Sequence, residues 1–386
     1  MVKVKSWLFT EVRGKVKKAE FRRRKNKVTE LSQKRIPFNP RTEKQQEVRK
    51  TYGKCVEEWN KLSESEKREW RIIGTLQGIS GYNAFMRECM NERLGKIWYE
   101  ITIDNSANAE DLTDYQVLLE IVNDSTFFED CKNEQKYLEF YDTDKATLLK
   151  HFVEEFDTTN KNAKIWIKVP SIPANSTKTI YLKINTSRTS DLSNPNEVFE
   201  FYDDFEGDAL DTNKWNLVKG EEGSNVFVEN GELKVTSNAV LIQSVQSFSQ
   251  GYLLESKHRV ISHAGYGHII HGFRETTSKN AEHLIWATGN RLYADGSEIN
   301  GDYAVPTDTY LLYQVKVKDN TAKAEIYDMS GNQKESLSGT STFSSAVISL
   351  VERPADYQTH SGDFRWDWIR VRKYTEPEPS VSYTKL

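Results

Sequence analysis

AKIWIKVPSIPANSTKTIYLKI, residues 163 to 184, decides the fold class. Ala163, Ile165, Ile167 and Val169 recur at every second position, and so do Ile180, Leu182 and Ile184. Residues two apart share one face of a strand, so this spacing predicts two strands, each with one apolar face. The PSIPANST between them is a run of turn formers. IWYEITI (97–103), QVLLEIV (116–122) and YLEFYD (137–142) repeat the pattern across turn-rich stretches such as DNSANAEDLTD (104–114). Five strands without helical patterns between them predict an antiparallel sandwich over residues 96–200.

Residues 201–378 follow the same grammar and predict a second sandwich. NVFVENGELKVTS (225–237) places Asn230-Gly231 between two β-rich runs, the strongest short hairpin signal. GYLLESKHRVIS (251–262), HLIWATGNRLYADG (283–296), YLLYQVKVKDNTAKAEIYD (310–328) and FRWDWIRVRKY (364–374) supply further strands. The two β zones read as distinct domains, each long enough to close its own core. Residues 379–386 end the chain in SVSYTKL after TEPEP, which reads as an extended or disordered tail.

The first 95 residues are different in kind: charged, nearly free of glycine and patterned for helices. Thr42 with Gln45 and Ser63 with Glu66 make two capping boxes. Val48, Tyr52, Cys55, Val56, Trp59 and Leu62 follow the first box at spacings of three and four, and Trp70, Ile73 and Leu76 follow the second. GISGY (78–82) breaks the second helix and YNAFMRECM (82–90) starts a third. The chain is therefore mainly β, with a basic arm and a short helical bundle over residues 1–95.

Charge is divided as sharply as pattern. The chain carries a net −4, but residues 1–50 hold 17 Lys or Arg against 5 Asp or Glu. FRRRKNKV (21–28) concentrates Arg22, Arg23, Arg24, Lys25 and Lys27. Such an arm suits docking into an assembly, or sequence-independent contact with nucleic-acid phosphates. The three cysteines, Cys55, Cys89 and Cys131, are odd in number and widely spaced, which predicts small buried residues and neither a disulfide framework nor a zinc site. No run approaches the roughly 20 apolar residues of a membrane span, so no membrane insertion is expected. SWLFT (6–10) is too short for the core of a signal peptide.

Two resemblances sharpen this reading. WYEITIDNS (98–106), DYQVLLEI (114–121), YLEFYDTD (137–144) and AKIWIKVPSIPANSTKTIYL (163–182) resemble a β-sandwich domain of unknown function found in archaeal surface proteins and viral proteins. YDDFEGDALDTNKW (202–215) and FRWDWIRVRKYTEPEP (364–379) resemble the first and last motifs of concanavalin-A-like, laminin-G-like jelly rolls. QQEVRKTYGKCVEEWNKLSESEKREWRIIGTLQGISGYNAFM (45–86) is similar to segments of virion proteins of phages and archaeal viruses, and EEWNKLSESEKREW (57–70) to the HMG box that bends DNA. The jelly-roll resemblance implies a structural Ca²⁺ tying the first strand to the last, with Asp203, Asp204 and Asp367 at the matching positions. The alternative is that Asp204 caps a turn and Asp367 pairs with a basic neighbour.

Site chemistry follows from what is present and what is missing. Glycanases of this fold set two carboxylates around an aspartate on one strand, one to donate a proton and one to attack or to activate water. Residues 201–375 contain no Glu-x-Asp-x-x-Glu or Glu-x-Asp-x-Glu run, so no enzymatic activity is expected. Five of the seven histidines fall at His258, His263, His268, His271 and His283. They are read as sheet-surface or groove residues, with His268, His271, Tyr266, Trp286 and Tyr293 lining a groove for sugar rings. The leading expectation is a virion structural protein: the N-terminal region anchors it among other virion proteins, in copies of itself, and the sandwiches bind host-surface glycans. A cell-surface adhesin or carbohydrate-binding module is the alternative, and a DNA-binding protein with HMG-like helices the third class.

Overall fold

The computed structural model describes residues 2–3, 14–16, 19–23, 29–33, 42–93, 97–236, 240–264, 269–275, 280–286, 289–352 and 361–386. The chain divides into two units, Met1–Met90 and Asn91–Leu386.

The first unit opens with strands where the pattern predicted helices or an arm. β1 (Val2–Lys3), β2 (Gly14–Val16), β3 (Ala19–Arg23) and β4 (Thr29–Gln33) pair antiparallel in the order β1-β4-β3-β2. Arg22 and Arg23 lie in β3, in register with Glu30 and Thr29 of β4. Arg24, Lys25 and Lys27 lie outside the described residues. Three helices follow: α1 (Glu43–Lys61), α2 (Glu64–Leu76) and α3 (Gly81–Arg93). The first two start where the capping boxes mark. Thr42 Oγ1 accepts from the Gln45 amide, and Ser63 and Glu66 bond reciprocally. Gly74 and Gly81 let α2 and α3 touch, since a Cβ on Gly74 would lie 2.7 Å from the Gly81 nitrogen.

The core under these helices is small: Cys55, Phe85, Met86 and Cys89 are buried, with Trp59, Trp70 and Tyr82 packed around them. Trp59 meets Tyr82 edge-on at 5.4 Å, and Trp70 meets Phe85 at 5.3 Å. Cys55 and Cys89 are disulfide-bonded, which corrects the expectation of three unpaired cysteines; Cys131 alone is free and buried. Sequence spacing hid the bridge because the partners are 34 residues apart and meet only once α3 folds back against α1.

The first sandwich begins with β5 (Ile97–Asp104) and β6 (Leu112–Ile121). After them come α4 (Ser125–Asp130), β7 (Leu138–Tyr141), β8 (Lys150–Asp157), β9 (Asn162–Ile172) and β10 (Thr177–Ile184). The period-two residues do what the spacing demands: Ile165, Ile167, Val169, Ile180, Leu182 and Ile184 all face one core with Ile101, Ile103, Val117 and Leu119. One sheet is β6-β9-β8; the other, β5-β10-β7, gains a fourth strand from the far end of the chain.

A short α5 (Pro195–Val198) leads into the second sandwich. Its strands are β11 (Phe201–Asp203), β12 (Trp215–Lys219), β13 (Val226–Glu229), β14 (Glu232–Thr236), β15 (Leu241–Phe248), β16 (Tyr252–Ala264), β17 (Ile269–Arg274) and β18 (Asn280–Trp286). They continue as β19 (Gly289–Ala294), β20 (Ser297–Gly301), β21 (Leu311–Lys318), β22 (Thr321–Tyr327), β23 (Gln333–Thr340), β24 (Ala346–Glu352) and β25 (Ser361–Lys373). One sheet runs β13-β14-β25-β16-β21-β22-β23, with β11 also on β25; the other runs β12-β15-β24-β17-β18-β19-β20. Asn230 and Gly231, with φ of 56° and 70°, turn β13 into β14 as the Asn-Gly pair predicts. Two antiparallel sheets face to face over one apolar core make this the jelly roll expected.

The two sandwiches share a seam. Trp166 of β9 packs with Val198, Phe199 and Tyr202. Arg370 on β25 donates to Glu255 of β16 at 2.6 Å and to Glu154 of β8 at 3.0 Å, with its guanidinium 4.7 Å over the Trp166 ring. Arg372 donates to the same Glu255 at 3.3 Å and to Glu378 at 2.9 and 3.0 Å. Burial alone would raise the Glu255 carboxyl, but the two guanidiniums overturn that and hold it at about 2.

The tail is extended but not free. β26 (Ser380–Lys385) pairs antiparallel with β5, Tyr383 opposite Ile101, and completes the first sandwich's sheet as β26-β5-β10-β7. Val381 and Tyr383 pack on the core, the Tyr383 hydroxyl donates to Asp124 at 2.8 Å, and Lys385 reaches Asp130. EPEP and the polar residues around it show no partner in the sequence, because the partner, Ile101 opposite Tyr383, lies far back in the chain.

Two outcomes follow. Deleting residues 379–386 strips β5 of a neighbour and of two part-buried side chains, and should cost about 2–4 kcal/mol, read as a lower urea midpoint for the first sandwich. Reducing Cys55–Cys89 opens a loop of 34 residues that crosses the small core of Cys55, Phe85, Met86 and Cys89. Dithiothreitol should therefore destabilise the helices by about 3–4 kcal/mol, visible at 222 nm, with the β signal unmoved.

Candidate functional site

Three of the five clustered histidines, His258, His271 and His283, meet between the two sheets of the second sandwich. Across β24, β17, β18 and β19 the register aligns Leu350, His271, His283 and Leu292 in one row. The next row along is Ser349, Gly272, Glu282 and Tyr293. Adjacent rows point to opposite faces of a sheet. Leu350, His271, His283 and Leu292 are all buried in the space between the sheets. His258 of β16 enters the same space from the other sheet.

His271 therefore stands in the core, not in a surface groove, and His258 and His283 stand beside it. The rings follow one another across the inter-sheet space, 5.0 Å from His258 to His271 and 5.5 Å from His271 to His283. Tyr313 of β21 stacks on His258 at 3.6 Å. Ser256 bonds His258 Nδ1 at 3.2 Å and Asn290 bonds His283 Nε2 at 3.1 Å. Among the described residues no three His, Cys, Asp or Glu are placed to hold a metal ion. The signal that could have found this row is parity: His258 shares the apolar phase of Leu254, Ser256 and Val260, and all four are buried.

The outer face of the same sheet is the candidate binding surface. Tyr293 and Arg291 of β19 are half-buried there, and Trp286 holds a register position on that face. Arg291 donates to the Tyr293 hydroxyl at 3.4 Å and to Asn300 at 2.7 Å. Tyr266 and His268 lie outside the described residues. Among the described residues two carboxylates stand on this face, and an arginine holds each. Arg274 lies 2.7 Å from Glu282 Oε1 and donates to Oε2 at 3.0 Å, while Arg291 is paired with Glu298. Glu282 is in register with Tyr293 and Tyr293 with Glu298, so the two acids sit two strands apart, about 10 Å between backbones.

Two of the three aspartates of the calcium expectation, Asp203 and Asp367, have side-chain partners. Asp203, buried at the end of β11, accepts from Trp215 Nε1 at 2.5 Å, from Lys214 at 3.3 Å and from the Phe205 amide at 3.3 Å. It thereby ties both ends of DDFEGDALDTNKW together. Asp367 pairs with Lys257 at 2.8 Å, and Asp204 follows β11 half-buried.

Residues 134–218 match the Domain of unknown function (DUF2341), a span from the first sandwich across the junction into β12. Among curated proteins none matches. Similar solved structures include a glycosyl hydrolase family 16 protein of Mycobacterium smegmatis, 15% identical, covering 45% of this chain and 99% of that one with a TM-score of 0.34. A structure described with endo-acting O-glycanases of the human gut microbiota is 16% identical, covers 46% and 100%, and scores 0.37. An immunostimulatory antigen and pseudo beta-1,3-glucanase of Mycobacterium tuberculosis is 14% identical, covers 46% and 99%, and scores 0.36. At such identities and scores nothing of their activity is carried to this chain.

The aspartate geometry gives a direct outcome. Asp203→Asn should weaken the Trp215 and Lys214 contacts and cost about 1–3 kcal/mol, by the same amount with and without EDTA. A melting temperature that falls on chelation, and no longer falls in Asp367→Ala, would instead establish the calcium clamp.

Proposed function

We propose that the second sandwich binds a glycan on the outer face of its seven-stranded sheet and does not hydrolyse it. The observation that carries this reading is the pairing of both carboxylates on that face with arginines, beside a half-buried tyrosine. Glycoside hydrolysis needs one carboxyl kept protonated or nucleophilic at a fixed distance from a second. A guanidinium on each acid opposes that, since it occupies the carboxylate oxygens that would have to meet the sugar. Tyr293 offers a ring face for stacking on a sugar, and Arg291 and Asn300 offer polar groups around it. In the same reading the basic N-terminal region anchors the chain in a larger assembly containing further copies of itself, which in its fullest form is a virion that attaches to host-surface glycans. Non-specific DNA contact through Arg22 and Arg23 is secondary.

A second reading, a cell-surface adhesin, gains from the Cys55–Cys89 bridge, because such bonds persist in oxidising surroundings. Both readings share the glycan.

The test is a glycan array probed with the full chain, followed by titration calorimetry on any hit. Binding should be saturable and weakened at least tenfold in Tyr293→Ala, with no reducing sugar released over the same panel. Sugar release abolished by Glu282→Gln would make the protein an enzyme. Undiminished binding in Tyr293→Ala would move the ligand to another face.

A further inference from the structure

The inter-sheet row of histidines has no part in that reading, and its chemistry is unusual for a core. His258 Nε2, both nitrogens of His271 and His283 Nδ1 have no hydrogen-bond partner among the described residues, and neither do the Tyr313 hydroxyl and Trp366 Nε1. All five residues are buried. We propose that the His258–His271–His283 row makes the second sandwich an acid-opened module, in which protonation of the row parts the two sheets while the seam to the first sandwich stays closed.

The position of the row supports this directly. His258 belongs to one sheet, and His271 and His283 to the other, so positive charge on both sides pushes the sheets apart. The groups that face it are neutral or distant: Ser256 on β16, Tyr313 on β21, Trp366 on β25 and Asn290 on β19. The nearest carboxylate contact is relayed, from His283 through Asn290 to Glu335 of β23 at 3.3 Å. Glu255 and Glu282 are on β16 and β18 too, but on the outer faces, each already paired with arginine. A proton arriving on one ring meets no counter-charge in contact and raises the cost of the next.

Loss of hydration on burial depresses all three imidazoles, and the neighbouring rings depress His258 and His271 further. His258 and His271 fall well below the usual histidine range, and His283 falls to about 4. An opened chain takes up the same protons near 6.5. Between those limits the opened state binds more protons, so stability is whole above about pH 6.5 and is lost as pH falls toward 4. Each histidine steepens the opening equilibrium by up to about tenfold per pH unit, and three together by about a thousandfold. The seam responds later, because Glu255 keeps its charge down to about 2. His151 of the first sandwich, buried against Phe140 at 4.9 Å, is also lowered by burial to about 4, but it stands alone there, so the second sandwich leads.

Hydrogen exchange of the full chain from pH 7.5 to 4.0, corrected for intrinsic rates and paired with an apolar dye, reads the event. Protection should fall first in β17 and β18, with dye binding, while β5, β9 and β10 stay protected. His271→Leu should move the midpoint at least half a pH unit lower, and His151→Leu should leave it in place. If His271→Leu does not fold at pH 7.5, His283→Leu should give the same displacement. Simultaneous loss of protection in both sandwiches, no opening above pH 4, or an unmoved midpoint in the folded variants would overturn the proposal. So would imidazole resonances of His271 and His283 in the closed wild type titrating near 6.5.

Discussion

Glu255 is the carboxylate on which the larger unit is arranged. It is buried at the outer face of an eight-stranded sheet, where an unpaired charge would cost several kcal/mol. Arg370 and Arg372 answer it from the neighbouring strand. Each arginine then spends its remaining donors on a different partner, Arg370 on Glu154 of the first sandwich and Arg372 on Glu378 beyond β25. One desolvated acid thus fixes where two sandwiches meet and where the chain goes next. Removing one member of such a set typically costs 3–5 kcal/mol, because the others stay buried without a partner.

The path of the chain reinforces the charges. After β25 the backbone passes Glu378 and returns as β26 to the edge of β5, so the first sandwich is closed by residues that follow the second. Two bodies that sequence treats as successive are interleaved. In the helical unit the described residues Cys55, Phe85, Met86 and Cys89 form a small buried core, and a covalent bridge between α1 and α3 adds to it.

One sheet of the second sandwich carries two chemistries because its residues alternate. Tyr293 and Glu282 face outward, where arginines neutralise the acids and leave a ring for stacking. His271 and His283, one register row away, face the interior, where their rings pack against each other and Tyr313. A one-residue slip would exchange the two sets, so the apolar rows of Phe273, Ala281 and Ile348 that hold the register also hold the division of labour.

The sequence by itself determined the strands, the helix starts and the fold class. Period two in Ile165, Ile167 and Val169, the Ser63 and Thr42 caps and the Asn230-Gly231 turn are local rules, and each is obeyed because backbone geometry enforces it within a few residues. Half of the candidate surface was legible in the same way: Tyr293 was named from its aromatic character, while the arginines that tie up Glu282 and Glu298 were not. What only the tertiary structure decided is pairing across long separations. Cys55 with Cys89, Arg370 with Glu154, β26 with β5 and His258 with His271 all depend on which elements the fold brings together. Nothing in the spacing of those residues encodes it, since their contact energy is gained only after the chain between them has folded.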